Sequence, residues 1–230
     1  MRLDRFLSKR PEFSRQDVRC LLLEGRVRVD GQAVSDGRYE VSAFSRIELD
    51  GQVLQQGYPA RYLMVHKPTG CVSATHDPQH TTVLDLLPAV EREGLHIAGR
   101  LDGNTTGLLL LTNDGQWSRR LTLPGNKLPK IYLVETAEPI GPEYSETFAR
   151  GIYFAFENLT TLPARLEILG SHSARLTLVE GRYHQVKRMF GHFRNRVTRL
   201  HRESIGPIRL DPALQPGQYR PLTAEEIACC

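Results

Sequence analysis

Gly99-Arg100-Leu101-Asp102-Gly103-Asn104-Thr105-Thr106-Gly107 runs directly into Leu108-Leu109-Leu110-Leu111-Thr112. A single carboxylate stands in a turn rich in Gly and Thr, at the mouth of an apolar run. That run is too short to cross a membrane and has the length of a buried strand. By turn chemistry alone, Asp102-Gly103 is a common structural dipeptide. What the carboxylate does therefore depends on what the rest of the chain brings to it.

Working outward, further strand-like runs lie at Tyr62–Val65, Ile131–Thr136, Ala164–Leu169 and Ala174–Val179, and helix-like runs at Trp117–Leu121, Tyr144–Ala149 and Gln185–Phe193. Hairpin-like neighbours dominate over regular strand–helix alternation. The pattern predicts an α+β fold whose larger domain holds a mixed, mainly antiparallel β-sheet flanked by helices.

The first 57 residues read as a separate module. Leu3, Phe6 and Leu7 share a helical face. Ser14 is an N-cap, Val18, Leu21 and Leu22 form a second apolar stripe, and Gly25 is placed to end that helix. Arg26–Val29 alternates as a strand, Asp30-Gly31 turns the chain into Gln32-Ala33-Val34, and Ile47 and Leu49 alternate before a second turn at Asp50-Gly51. Gln55-Gln56-Gly57-Tyr58-Pro59 is polar, carries a breaker pair and reads as the linker. The expected domains are residues 1–57 and 58–230.

Charge is informative by placement. The net charge of the 230 residues is +4, and residues 1–57 are nearly balanced, with ten basic and nine acidic side chains. Between Glu180 and Arg209, eight Lys or Arg face two Glu, with three His in the same stretch, a local excess that favours a polyanionic partner over a merely solvated face. No apolar run reaches membrane-spanning length, and Met1–Phe6 lacks the apolar core of a signal peptide, so no membrane association and a cytoplasmic location are expected. Cys20, Cys71, Cys229 and Cys230 have no Cys-x-x-Cys spacing and read as reduced thiols. His76 and His80 flank Pro78, which favours a loop over a helical metal pair. No metal site is expected.

Three further words complete the pattern. His66-Lys67-Pro68-Thr69-Gly70 shapes the backbone before the Asp102 turn. Lys130-Ile131-Tyr132 opens a strand in which alternation separates Tyr132 from the face of Ile131 and Leu133, so that Tyr132 need not belong to the core. In Glu180-Gly181-Arg182-Tyr183-His184-Gln185-Val186-Lys187-Arg188-Met189, the residues Val186, Met189, Phe190 and Phe193 have one-face helical spacing. Lys187 then falls about 100° from the stripe centre, at the edge of the buried face, and Arg188 about 200° away, toward solvent or a polyanionic partner.

The seventeen-residue run Gly99–Gly115, with Lys67-Pro68-x-Gly70, Lys130-x-Tyr132 and Gly181-Arg182-x-His184-Gln185 in that order, resembles the RNA pseudouridine synthases. The opening Arg2-Leu3-Asp4-x-Phe6-Leu7 and the later Gly25-x-Val27-x-Val29-Asp30-Gly31 resemble an S4-type RNA-binding domain. Together these resemblances span nearly the whole chain. They imply an rRNA-modifying enzyme that isomerises uridine to pseudouridine, with Asp102 as the essential carboxylate, Lys187 as its cation and Tyr132 packed against the target base. They also imply that Arg100 helps hold the target nucleotide out of its stack, that Leu200 lines the base pocket, that Arg182 and Arg188 meet the substrate, and that Arg2, Arg5, Arg15 and Arg19 line an RNA-facing edge of the S4-like module. Lys67 is at most a phosphate contact.

The chemistry suits those residue types. The bond between a uracil nitrogen and the ribose breaks, the base turns, and it is rejoined through carbon. Nothing is added or oxidised, so no cofactor is expected. A carboxylate serves either as a nucleophile or as a stabiliser of positive charge at the sugar, and a nearby cation keeps a partly buried carboxylate ionised at neutral pH. Asn113–Ser118 and Gly217–Thr223 point, within the bacterial branch of the family, to 16S small-subunit rRNA in an assembling particle, acted on by a monomer. Gly103-Asn104 and Gly125–Pro129 depart from the family pattern. The same reaction on 23S large-subunit rRNA is the alternative. A non-catalytic RNA-binding or assembly protein is another, but it would not need Asp102, Tyr132 and Lys187 together.

Overall fold

A computed structural model describes residues 1–229; Cys230 lies outside the described residues. The chain divides into two compact units, Met1–Ala60 and Arg61–Cys230.

In the first unit, α1 (Leu3–Leu7) and α2 (Arg15–Leu23) precede β1 (Val27–Val29), β2 (Gln32–Ala33), β3 (Ile47–Leu49) and β4 (Gln52–Gln55). Ser14 starts α2 through a capping box. Its hydroxyl accepts from the Asp17 amide at 3.2 Å, and its own amide donates to the Asp17 carboxylate at 2.8 Å. The four strands form an antiparallel sheet in the order β2-β1-β3-β4. Both Asp-Gly turns have positive φ at each central residue (Asp30 50°, Gly31 80°; Asp50 50°, Gly51 82°), the geometry that matches strand twist in two-residue hairpins. Leu3, Leu7, Val18, Leu22, Val27 and Ile47 are buried together beneath the helices.

The strands of the second unit are β5 (Tyr62–Lys67), β6 (His96–Ile97), β7 (Thr106–Thr112), β8 (Lys130–Thr136), β9 (Tyr153–Phe154), β10 (Leu159–Thr160), β11 (Arg165–Gly170), β12 (Ser173–Leu178), β13 (Val197–Ile205), β14 (Ile208–Arg209) and β15 (Tyr219–Pro221). Its α-helices are α3 (Ala89–Arg92), α4 (Gly115–Thr122), α5 (Glu143–Arg150), α6 (Gln185–Gly191) and α7 (Ala224–Ala228). The main sheet runs β11-β12-β8-β13-β7-β5-β15. Its pairings are antiparallel except β13 with β7, which run parallel at His201–Thr106 and Arg202–Gly107. The architecture is α+β with a mainly antiparallel sheet, as expected.

The leucine run of β7 is buried on both faces of this sheet. Leu109 and Leu111 join one core with Leu63, Val65, Val134 and Phe190, while Leu108 and Leu110 join another with Met64, Trp117 and Ile205. That two-sided burial accounts for a continuous rather than alternating apolar pattern. The central strand β13 is absent from the expected strands, as are the short β6, β9, β10, β14 and β15. Helix α6 stops at Gly191, two residues short of the expected end.

Candidate active site

Asp102 sits in the loop that enters β7, and buried groups hold that loop from beneath. Ser73 clamps Leu101 from both sides: its hydroxyl donates to the Leu101 carbonyl at 2.7 Å and accepts from the Leu101 amide at 3.0 Å. The Thr105 amide closes a turn onto the Asp102 carbonyl at 3.0 Å, and the Gly70 amide reaches the Gly103 carbonyl at 3.0 Å. Lys67 is wholly buried and donates to the carbonyls of Pro68, Gly103 and Thr105 at 3.0, 3.3 and 2.9 Å. Burial pulls its ammonium below the ordinary 10.5, opposed in part by Cys71 and Asp102. The sequence reading of Lys67 as at most a phosphate contact is corrected. Its charge is directed at loop carbonyls, out of reach of solvent.

Arg202 supports the same loop from β13. Its buried guanidinium donates to the carbonyls of Leu108 at 2.8 Å and Arg100 at 3.3 Å. The close approach requires a glycine opposite: Gly107 has φ 107°, and a Cβ there would collide with the Arg202 backbone.

On the solvent side, Lys187 from α6 places Nζ 3.0 Å from Asp102 Oδ2, across 85 residues of sequence, and 2.6 Å from Asn104 Oδ1. His184, at the N-cap of α6, places Nε2 3.4 Å from Asp102 Oδ1. Asp102 is 31% exposed and Lys187 26%, so the pair is sheltered but open to a ligand. Leu101, Tyr132, Val186 and Leu200 belong to the same buried apolar core, Leu101 and Val186 being the chain neighbours of Asp102 and Lys187.

The other expected site residues are placed as follows. Alternation leaves open whether Tyr132 belongs to the core; it does, being 8% exposed and sharing its face with Val134, while Ile131 and Leu133 are the half-exposed side. Arg100 is exposed, with its carbonyl held by Arg202. Arg182 pairs with the buried Glu180 at 2.9 Å. Arg188 does not project freely outward. It forms a bidentate pair with Glu157 at 2.5 and 2.6 Å and lies 3.7 Å above the Phe154 ring, because a two-pronged charge pair and a cation–π contact together hold the side chain against its own domain.

In the first unit, Arg2, Arg5, Arg15 and Arg19 do come together, lining one open groove of about 1170 Å³ with Lys9 and Arg38. Arg2 is paired with Asp4, while Arg5, Arg15 and Arg19 are exposed. Among the described residues no group of three His, Cys, Asp or Glu is arranged to hold a metal ion, and no helix is long and apolar enough to cross a membrane.

The sequence reading missed His184, Asn104, Ser73 and Arg202. His184 lay inside a quoted motif without a role. Asn104 was noted only as a departure, yet it takes the second hydrogen bond of Lys187.

Residues 61–192 match the RNA pseudouridylate synthase family and residues 1–47 match the S4 domain. The chain belongs to that family and is an RNA pseudouridine synthase with an N-terminal S4 domain. More particularly, it is 66% identical over 227 residues to the ribosomal small subunit pseudouridine synthase A of Pseudomonas aeruginosa, covering 99% of each chain. Identity to the protein of the same name from Escherichia coli K12 is 46% over 228 residues, again covering 99% of each. A crystal structure of a pseudouridylate synthase superposes with a TM-score of 0.73 at 40% identity, over 100% of this chain and 99% of that one.

Proposed function

We propose that this synthase converts uridine to pseudouridine in 16S rRNA of the small ribosomal subunit, acting as a monomer in the cytoplasm on an assembling particle. Asp102 is the reacting carboxylate and Lys187 its cation. Tyr132 and Leu200 form the apolar wall against the target base, and Arg100 occupies the stacking position that base leaves. The observation that carries this reading is the ion pair between Lys187 and Asp102, 85 residues apart in sequence, above a loop held by buried donors. The names of the full-length relatives support the choice of small-subunit rRNA.

The geometry suits the chemistry. The glycosidic bond to nitrogen breaks and the base rejoins through carbon with no net redox change, so no co-substrate enters. Asp102 is anchored through its backbone, while both carboxylate oxygens face groups that can be displaced or shared: Lys187 at one, His184 at the other. That serves a nucleophile or a charge stabiliser equally. Arg182 and Arg188, each already paired with a carboxylate, shape the wall of the site and meet RNA only by exchanging Glu180 or Glu157 for phosphate. The groove of Arg5, Arg15 and Arg19 supplies phosphate contacts at the S4 domain.

The test is a pseudouridine map of both rRNAs from cells lacking the gene. Loss of one modified position in 16S rRNA, restored by the wild-type gene, supports the reading. Loss confined to 23S rRNA overturns the substrate assignment.

A further inference from the structure

Tyr183 and His184 are stacked on each other next to Asp102. Their ring centroids are 3.9 Å apart with planes at 21°. Consecutive side chains ordinarily diverge; here the backbone of His184 is left-handed, with φ 49° and ψ 30°. Few residues other than glycine occupy that region, histidine being among those that tolerate it, and such conformations also concentrate at working sites where the surroundings hold them. Helix α6 provides the hold. The Arg188 amide donates to the His184 carbonyl at 3.0 Å, and the Arg188 guanidinium reaches the Tyr183 carbonyl at 3.4 Å.

The two rings differ in what lies on their other side. His184 looks inward, with Nε2 3.4 Å from Asp102 Oδ1. Tyr183 looks outward and is 76% exposed. From solvent inward, the phenol ring lies on the imidazole ring, and the imidazole edge at Nε2 meets the carboxylate. An exposed aromatic ring that already stacks on one face is a surface on which an unpaired base stacks, and such stacking is tolerant of base identity.

We propose that Tyr183 is the stacking platform for an unpaired RNA base next to the reacting uridine, and that His184 is the positioning residue through which the stacked base fixes the Asp102 carboxylate. The inference rests on the reading of Asp102 as the reacting group. Binding of the flanking base then orders both rings, so the carboxylate is set in place only when the strand is correctly seated.

Two measurements test it on the full chain. The first is fluorescence anisotropy with a labelled single-stranded oligouridylate, which needs no turnover. Tyr183→Ala weakens binding by about 5- to 100-fold, and Tyr183→Phe, which keeps the ring, restores most of it. Equal affinity for wild type and Tyr183→Ala overturns the platform. The second is the single-turnover rate on a small-subunit rRNA transcript against enzyme concentration. His184→Asn keeps a residue that tolerates the left-handed backbone and removes the imidazole. It lowers the maximal rate by about tenfold or more while the half-saturating concentration moves less than twofold. An unchanged maximal rate overturns the positioning role, as does a loss that appears only as weaker binding. A wild-type enzyme inert on the transcript counts against the substrate reading instead, and the anisotropy result still decides the platform.

Discussion

Lys187 Nζ lies 3.0 Å from Asp102 Oδ2, with neither side chain more than about a third exposed. At this distance and shelter the cation fixes the carboxylate's position and offsets its charge, and removing one partner of a sheltered pair leaves the other uncompensated. Lys187→Met is therefore expected to lose most activity. Lys187→Arg is expected to be milder, since charge is kept while the single point of contact changes shape. Single-turnover rates with saturating enzyme check this. A Lys187→Met maximal rate equal to that of wild type, with only affinity reduced, would make Lys187 a phosphate contact.

Lys67 holds the loop from a fully buried position. Lys67→Met keeps the volume but strips the donor from three carbonyls, an expected cost of about 1–3 kcal/mol. The pH dependence has a definite sign. The folded ammonium titrates below 10.5, so between that lowered value and 10.5 the unfolded chain binds more protons. Wild-type stability therefore gains from this group as pH rises through the window and loses it as pH falls. Denaturant unfolding of both proteins from pH 7 to 10 should show the gap between them widening. A gap that narrows with pH contradicts the burial argument.

The S4 groove predicts a salt effect. Replacing Arg5, Arg15 and Arg19 together by Ala should weaken RNA binding and flatten the plot of log affinity against log salt. The slope should fall by about 0.7–0.9 for each phosphate that these cations neutralise. The three side chains are exposed, so the fold should survive. Filter binding over a range of potassium chloride is the check, and an unchanged slope would remove this groove from the RNA path.

Much of the fold was legible because its signals are local. The capping box at Ser14, the two Asp-Gly turns and the leucine run of β7 each announce their geometry within a few residues. The central strand β13 was not legible. Its middle reads Arg199-Leu200-His201-Arg202-Glu203, and the charges conceal the alternation. Arg202 is buried there because its guanidinium finds the carbonyls of Arg100 and Leu108, partners remote in sequence. The candidate site divides in the same way. Asp102, Tyr132 and Lys187 were named through motif resemblance, whereas Asn104, Ser73 and His184 matter through interactions that only the folded chain creates. Arg188 was misplaced because helical angle locates a Cβ but not the end of a long side chain. Glu157 and Phe154 decide where its guanidinium rests.

Every step of the proposed chemistry passes through Asp102. Asp102→Asn removes the charge with little change in volume and leaves the loop's backbone anchors in place. The direct measurement is single-turnover conversion of uridine in the 16S transcript with saturating enzyme, alongside RNA affinity. The expected result is a rate below about 1% of wild type with affinity within a few-fold. A variant that binds RNA and still converts uridine at a rate comparable to wild type would contradict the assignment.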